Sequence, residues 1–370
     1  MRSIIKTVIF GGIYLFCLST IASELDENKL FIPTGNITKH DNSAPRWVFD
    51  FKAPKKGEKD LFELRPKQCK MPKSFKISTD DSFNKLPMHK YSISISSEFF
   101  GCELKNMCNE ISRNNPNLKT IYIIDLCQEP HLFWNGVPVS YRTPHNRHVV
   151  GLNGPDQMRK KEVELAKNVK SGTTVGYIER DESGDCSKAS GICEYNREYK
   201  LSRTPIVQRE EEVVASYCTP ANIKTVYQRY LITDHSPPLI QQLQRYLNFL
   251  RTVNFENSHI HIHCKGGKGR TSTFFSITQK FLFPDMSMDQ ILEQQYAFGG
   301  INLIYKAKKN WKNYLSLKRY NTLKCLDKLK IIDDASTKKK HFIGMSEVEK
   351  CWRAQYDNDK DNASWQDKKP

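Results

Sequence analysis

The stretch from His259 to Thr273, His-Ile-His-Ile-His-Cys-Lys-Gly-Gly-Lys-Gly-Arg-Thr-Ser-Thr, constrains this chain more than any other. Ile260 and Ile262 alternate with polar neighbours and fit a short strand from Ser258 to His263, whereas Phe274, Phe275, Ile277, Phe281 and Leu282 recur at helical spacing. Gly266, Gly267 and Gly269 lie between the two, so the chain passes from strand to helix through a curl that glycine adopts most readily. The expected product is a nest whose backbone N–H groups all point inward, with the positive end of a helix beside it. Such a nest receives a phosphate.

Cys264 opens the nest and Arg270 closes it. A thiol is a useful nucleophile only as thiolate, and inward N–H groups, a helix N-terminus and nearby cations all favour that form. The planar fork of Arg270 can hold two phosphate oxygens and stay with them as charge shifts in the transition state. Thr271 can donate a hydrogen bond to the Cys264 sulfur and help it leave, and His263 is expected to fix the loop from the strand side. A buried thiol in an ordinary turn is the alternative. It is disfavoured because Cys, five spacers, Arg and Thr between a strand and a helix each serve one mechanism.

The segment His263 to Thr271 resembles the signature loop of the cysteine-dependent protein tyrosine phosphatase superfamily. Upstream, Asp125-Leu126-Cys127-Gln128-Glu129-Pro130-His131 and Asn135-Gly136-Val137-Pro138-Val139-Ser140 resemble the stretch after the same strand in bacterial tyrosine-phosphatase-like phytases. These are inositol polyphosphate phosphatases on the tyrosine phosphatase fold. The resemblance runs in the same order from about residue 71 to about residue 302. Where the family usually has an arginine that contacts substrate phosphate, this chain has Cys127. Taken alone, Asn135-Gly136 reads as a hairpin turn.

A general acid must sit on a strand-end loop near the nest but outside it, and Asp234 follows the strand-like run Tyr227 to Thr233. Thr233-Asp234-His235-Ser236-Pro237-Pro238 matches the family's Thr-Asp-His-x-x-Pro, which implies Asp234 as the acid and His235 as a substrate contact. Asp234 could also cap the helix running to Leu250. Lys265 and Lys268 depart from the phytase-like loop and are similar to the lysines of phosphoinositide 3-phosphatase loops. Clustered phosphates need clustered cations, so the expected substrate is a polyanion, either a soluble inositol polyphosphate or a lipid headgroup. Phosphotyrosine protein comes third. A non-catalytic phosphate-binding protein is the reading outside enzymology, and Cys264, Arg270 and Asp234 together weigh against it.

At the N-terminus, Met1, Arg2 and Lys6 precede an apolar run from Val8 to Leu18, followed by Ser19, Ala22 and Ser23. This is the pattern of a signal peptide over residues 1–23, short for a spanning helix. It implies export to a periplasm or the medium, or delivery into a host cell. Residues 24–68 read as an extended polar segment, 69–326 as the catalytic domain with a small β-rich insertion at 171–207, and 327–370 as a charged tail. The formal net charge of +16 favours anionic partners, an anionic membrane surface among them, while no nucleic-acid motif is recognisable. Much of the basic charge follows the catalytic helices, from Lys306 to Lys324, as an expected wall beside the pocket. Of the eleven cysteines, Cys102 with Cys108 and Cys186 with Cys193 are locally feasible pairs that sequence cannot assign. Neither has a second half at zinc-site spacing, and the expected chemistry needs no cofactor. The expected fold is α/β, a mainly parallel sheet flanked by helices, with the nest at the carboxyl end of a strand.

Overall fold

The computed structural model describes residues 31–36, 46–49, 69–142, 154–178, 195–201, 203–303, 311–334 and 339–357. The expected signal peptide, Cys186, Cys193, Lys306, Lys308 and Lys309 lie outside them. The chain begins with strands β1 (Phe31–Asn36), β2 (Arg46–Phe49), β3 (Lys76–Ile77) and β4 (Ile93–Ser97), then helix α1 (Gly101–Arg113). Next come β5 (Thr120–Cys127), β6 (His131–Trp134), β7 (Val137–Arg142), α2 (Pro155–Lys167), β8 (Thr174–Ile178), β9 (Tyr195–Leu201) and β10 (Val207–Gln208). Then follow α3 (Glu210–Tyr217), β11 (Lys224–Ile232), α4 (Ile240–Leu250), β12 (Ser258–Cys264), α5 (Gly269–Leu282) and α6 (Met288–Ala297). The chain closes with α7 (Trp311–Lys324), β13 (Lys330–Asp334), β14 (Lys339–Ile343) and α8 (Met345–Asp357).

The catalytic sheet is ordered β11-β5-β12-β4-β3 and is parallel except for β3. This is the expected α/β class. A second sheet, β1-β9-β8-β2-β7-β6-β10, takes its strands from both sides of α2. The insertion at 171–207 therefore does not stand alone: β8 and β9 join β1 and β2 of the N-terminal segment and the β6–β7 hairpin. Asn135 and Gly136, both in the left-handed region at φ 51° and 78°, make the two-residue turn of that hairpin.

Alternation along β12 suggests one wet face, yet all seven residues are buried. The polar face is dry because its histidines bond to serines on β4 and just before it. His259 lies between Ser92 and Ser94 at 2.7 Å from each, and His261 lies 2.8 Å from Ser94 and 3.1 Å from Ser96. Ser96 donates onward to the Ser97 carbonyl, which fixes the direction of the chain: each ring donates from Nε2 and accepts at Nδ1. Burial pushes the His259 pKa down to about 3 and lowers His261 as well, so both rings are neutral, as this pattern needs. The ladder ends under the phosphate loop.

Three disulfides join described residues: Cys69–Cys102, Cys108–Cys218 and Cys325–Cys351. The local pair Cys102 with Cys108 is not formed. Both cysteines lie on α1, and each bonds outward, Cys102 to the segment before β3 and Cys108 to the end of α3. The tail from residue 327 is also more than a periphery. It forms the β13–β14 hairpin and α8, whose Trp352 is fully buried in the main core.

Candidate active site

The loop after β12 is shaped by close approach to the end of β4. Gly267 sits at φ 60°, and a Cβ there would fall 2.4 to 2.6 Å from the Ser96 and Ser97 backbone, so no larger residue fits. Glu98 N–H donates to the Cys264 carbonyl at 2.9 Å, tying the backbone of Cys264 to the residue after β4. Gly267 N–H donates to the same carbonyl at 3.1 Å and closes a turn. That amide is therefore not among the inward donors, a correction to the expectation that every loop N–H faces the nest. Thr271 Oγ1 donates toward Cys264 Sγ at 3.1 Å, and both side chains are buried.

Arg270 is held from behind. Its Nη1 and Nη2 donate to the two carboxylate oxygens of Glu129 at 2.8 and 2.9 Å, and Nη1 also reaches the Ile232 carbonyl at 3.2 Å. Its Nε is buried and has no hydrogen-bond partner among the described residues. Burial opposes the charge of Arg270, but Glu129 and Asp234 outweigh it and hold the guanidinium firmly protonated. The carboxylate of Glu129 is in turn kept below the usual range by Arg270 despite its burial. Asp234 Oδ1 stands 3.5 Å from Arg270 Nη2, with its side chain 30% exposed at the mouth of the site. It does not cap α4, whose preceding residue is Leu239. His235 adopts φ 62°, and its Nε2 lies 3.6 Å from Asp234 Oδ2 on the exposed side.

Lys265 is half-buried, and burial together with Arg270 pushes its pKa well below the ordinary value. Lys268 is exposed, as is Gly266, where a Cβ would meet nothing within 4 Å. Gly269, the first residue of α5, faces Arg319 of α7: a Cβ would fall 2.5 Å from Nη1. Of the basic run, Lys318 and Arg319 are buried, and Lys324 pairs with Asp289 and Asp327 at 2.9 Å each. That part of the run braces the fold rather than walling a pocket.

His263 points away from the nest. Its ring is fully buried 4.9 Å from that of Phe99, and Nε2 lies 2.8 Å from Glu210 Oε1. Glu210 Oε2 meets His131 Nε2 at 2.5 Å, so one carboxylate of α3 bridges the residue before the nucleophile and a strand of the second sheet. Arg229 extends the cluster with Nε 3.1 Å from Asp125, Nη1 2.6 Å from Glu162, and Nη2 2.8 Å from the Glu129 carbonyl. Burial and Arg229 lower the His131 pKa, but Asp125 and Glu210 overcome them and raise it to about 10. Burial raises Glu210, yet His263 and His131 hold it below the carboxylate range. Glu98, Glu210 and His131, or Asp125, Glu210 and His263, stand close enough to surround a cation. Asp125, Glu210 and His131 are already paired with one another or with Arg229, which fits a metal poorly.

Sequence reasoning missed Glu129, Glu210, His131 and Arg229. Glu129 lay inside a quoted motif and could have been suspected as a partner for Arg270. Glu210 is adjacent in sequence to neither of its histidines, and nothing local marks it.

A cysteine at the carboxyl end of a parallel strand, a glycine curl leading into a helix, an arginine closing it and an aspartate at the rim define a tyrosine-phosphatase-like fold. Comparison narrows the class. The PTP-like phytase family model, described as inositol hexakisphosphate, matches residues 124–279. The chain is 28% identical over 215 residues to effector protein hopD2 of Pseudomonas syringae pv. tomato, covering 56% of this chain and 42% of that protein. The tandemly repeated PTP-like phytase of Mitsuokella multacida matches with a TM-score of 0.56 at 22% identity, over 78% of this chain and 48% of the other. The PTP-like myo-inositol phosphatase of Mitsuokella multacida, solved with myo-inositol-(1,3,4,5)-tetrakisphosphate, matches at 0.57 and 21%, over 88% and 48%. The chain thus spans under half the length of these relatives, and the structural matches establish the fold. The resemblance is to PTP-like phytases, a family of phosphatases acting on phosphate monoesters of inositol phosphates.

Proposed function

We propose that this protein hydrolyses phosphate monoesters of inositol polyphosphates through a phosphocysteine. The observation that carries the reading is Arg270, locked to Glu129 by two hydrogen bonds and standing 3.5 Å from Asp234, beside a Cys264 sulfur that accepts from Thr271. Cys264 Sγ forms a bond to phosphorus as the ester P–O bond breaks, and Asp234 gives its proton to the departing alcohol oxygen. Water then attacks phosphorus while Asp234 takes its proton. The S–P bond breaks, its electron pair returns to sulfur, and the hydroxyl of Thr271 steadies the thiolate. Loop amides and Arg270 hold the equatorial oxygens throughout. Nothing in this sequence of steps calls for a metal.

Lys265 and Lys268 support a polyphosphorylated ring over a lone phosphate, and the matched family model supports a soluble one. The lipid headgroup is the second reading, favoured by the two loop lysines. Export is proposed from the N-terminal apolar run and from three disulfides, which persist in oxidising compartments. The name of the Pseudomonas relative, an effector, supports delivery to a host. Among the described residues no helix is long and apolar enough to cross a membrane. The test is phosphate release from phytate, from phosphoinositide vesicles and from a phosphotyrosine peptide. Fastest turnover of the peptide would overturn the substrate assignment.

A further inference from the structure

The loop that carries Asp234 is held from more than one element, and its first residue, Thr233, donates to Gln128 Oε1 at 2.6 Å. Pro237 and Pro238 have no N–H to donate, His235 sits in the left-handed region, and Leu239 gives α4 no side-chain cap. Within the loop, Ser236 N–H closes a turn on the Thr233 carbonyl at 3.1 Å, and His235 N–H donates to Asp234 Oδ1 at 3.1 Å. Two of the loop's carbonyls are met by the C-terminal segment. Trp352 Nε1 donates to the Pro238 carbonyl at 2.9 Å, and Arg319 Nη2 donates to the Ser236 carbonyl at 3.3 Å. Both side chains are buried, Trp352 completely.

These two donors are tied to one another. Arg319 lies on α7, shortly before Cys325, and Trp352 is adjacent to Cys351, and the Cys325–Cys351 disulfide joins the two stretches. On α8, Glu349 also accepts from Gln244 of α4 at 3.3 Å, just beyond the loop. The Arg319 guanidinium that meets the acid loop packs against Gly269 as well, where the phosphate loop enters its helix. One cross-linked unit therefore touches the loop of the acid and the loop of the nucleophile.

Resting on the function proposed above, we infer that Trp352, held by the Cys325–Cys351 disulfide and assisted by Arg319, is a positioning residue for Asp234. It touches no reacting atom. It fixes the Pro238 carbonyl, and with it the path of the loop whose other end presents the carboxyl. Misplacement of a reacting group by about 1 Å can cost on the order of 10²-fold, and that loss should fall on proton donation alone.

The test compares Trp352→Phe, which keeps an aromatic ring but removes the N–H, with Cys325→Ala/Cys351→Ala, which spares the other disulfides. For each variant kcat is measured on an alkyl or inositol phosphate, a poor leaving group, and on p-nitrophenyl phosphate, a good one, across pH. The expected result is a loss about tenfold or more greater for the poor leaving group, with the limb of the pH profile that reports the acid displaced. Asp234→Asn in the same panel tests the underlying reading: without leaving-group discrimination there, Asp234 is not the acid. If Asp234→Asn discriminates while both clasp variants lose equally on the two substrates, or lose nothing, the positioning role is overturned. Should Trp352→Phe fail to fold, the double cysteine variant alone decides by the same ratio.

Discussion

Glu210→Gln is the sharpest perturbation of the buried cluster, because one carboxylate serves two histidines. The amide keeps the volume and loses the charge that faces His131 Nε2 at 2.5 Å and His263 Nε2 at 2.8 Å. Breaking a buried ion pair by removing one partner costs about 3–5 kcal/mol. A second route gives a similar size. The His131 pKa stands at about 10 against an ordinary 6.5, which by linkage amounts to about 5 kcal/mol held by its acidic neighbours, Asp125 and Glu210. The sign follows from the directions. A histidine raised on folding contributes stability fully below 6.5 and loses it as pH climbs through about 10. Glu210, depressed on folding, contributes above the ordinary carboxylate range and loses that contribution as pH falls through it. The difference between wild type and Glu210→Gln, read from urea unfolding with intact disulfides, should therefore plateau between about pH 5 and 6.5 and shrink steadily toward pH 10. A difference independent of pH over that window would refute the claim that Glu210 keeps His131 charged.

Three further outcomes are expected of the site. Cys264→Ser should abolish turnover while still binding inositol polyphosphate by calorimetry; activity removed by EDTA and restored by a divalent metal would contradict the thiolate mechanism. Asp234→Asn should cost roughly 10²–10⁴-fold on alkyl phosphates and much less on aryl ones, measured as kcat. Replacing Lys265 and Lys268 together with Ala should remove contacts worth about 1.5–3 kcal/mol each from an inositol polyphosphate and little from an aryl monophosphate, with incomplete additivity. Equal loss in kcat/KM on both substrates would leave the polyphosphate assignment without its basis in these lysines.

The strand, curl and helix from Ser258 to Leu282 were legible because three glycines and two periodicities coincide there. Cys264, Arg270 and Thr271 lie on that one continuous stretch, so spacing alone brought them together. Asp234 was legible only through resemblance, since a carboxylate before Pro-Pro reads equally well as a cap. What could not be read is whatever depends on distant strands meeting. The histidines of β12 look like a wet face until Ser92, just before β4, and Ser94 and Ser96 on it are laid beside them. Trp352 looks like part of a charged tail until the Cys325–Cys351 disulfide carries α8 back to the acid loop.

The buried charges beneath the nest raise a physical question that the cluster itself answers. Desolvated carboxylates are costly unless each has a cation, and here Glu129 has Arg270, Glu162 and Asp125 share Arg229, and Glu210 has His131. Glu98 is the one left over. Among the described residues neither of its carboxyl oxygens has a hydrogen-bond partner, and burial raises its pKa to about 8, so at neutral pH it is held as the acid. The cluster thus avoids a surplus negative charge at the point where Glu98 N–H supports the Cys264 carbonyl. On the mechanism proposed above this matters, because the thiolate and the phosphate would both be anions. An ionised carboxylate directly under the loop would oppose both, whereas a neutral Glu98 leaves the loop amides and the unpartnered Nε of Arg270 to set the field. As pH rises through about 8, Glu98 ionises, and the same geometry that favours an anion at neutral pH begins to repel it.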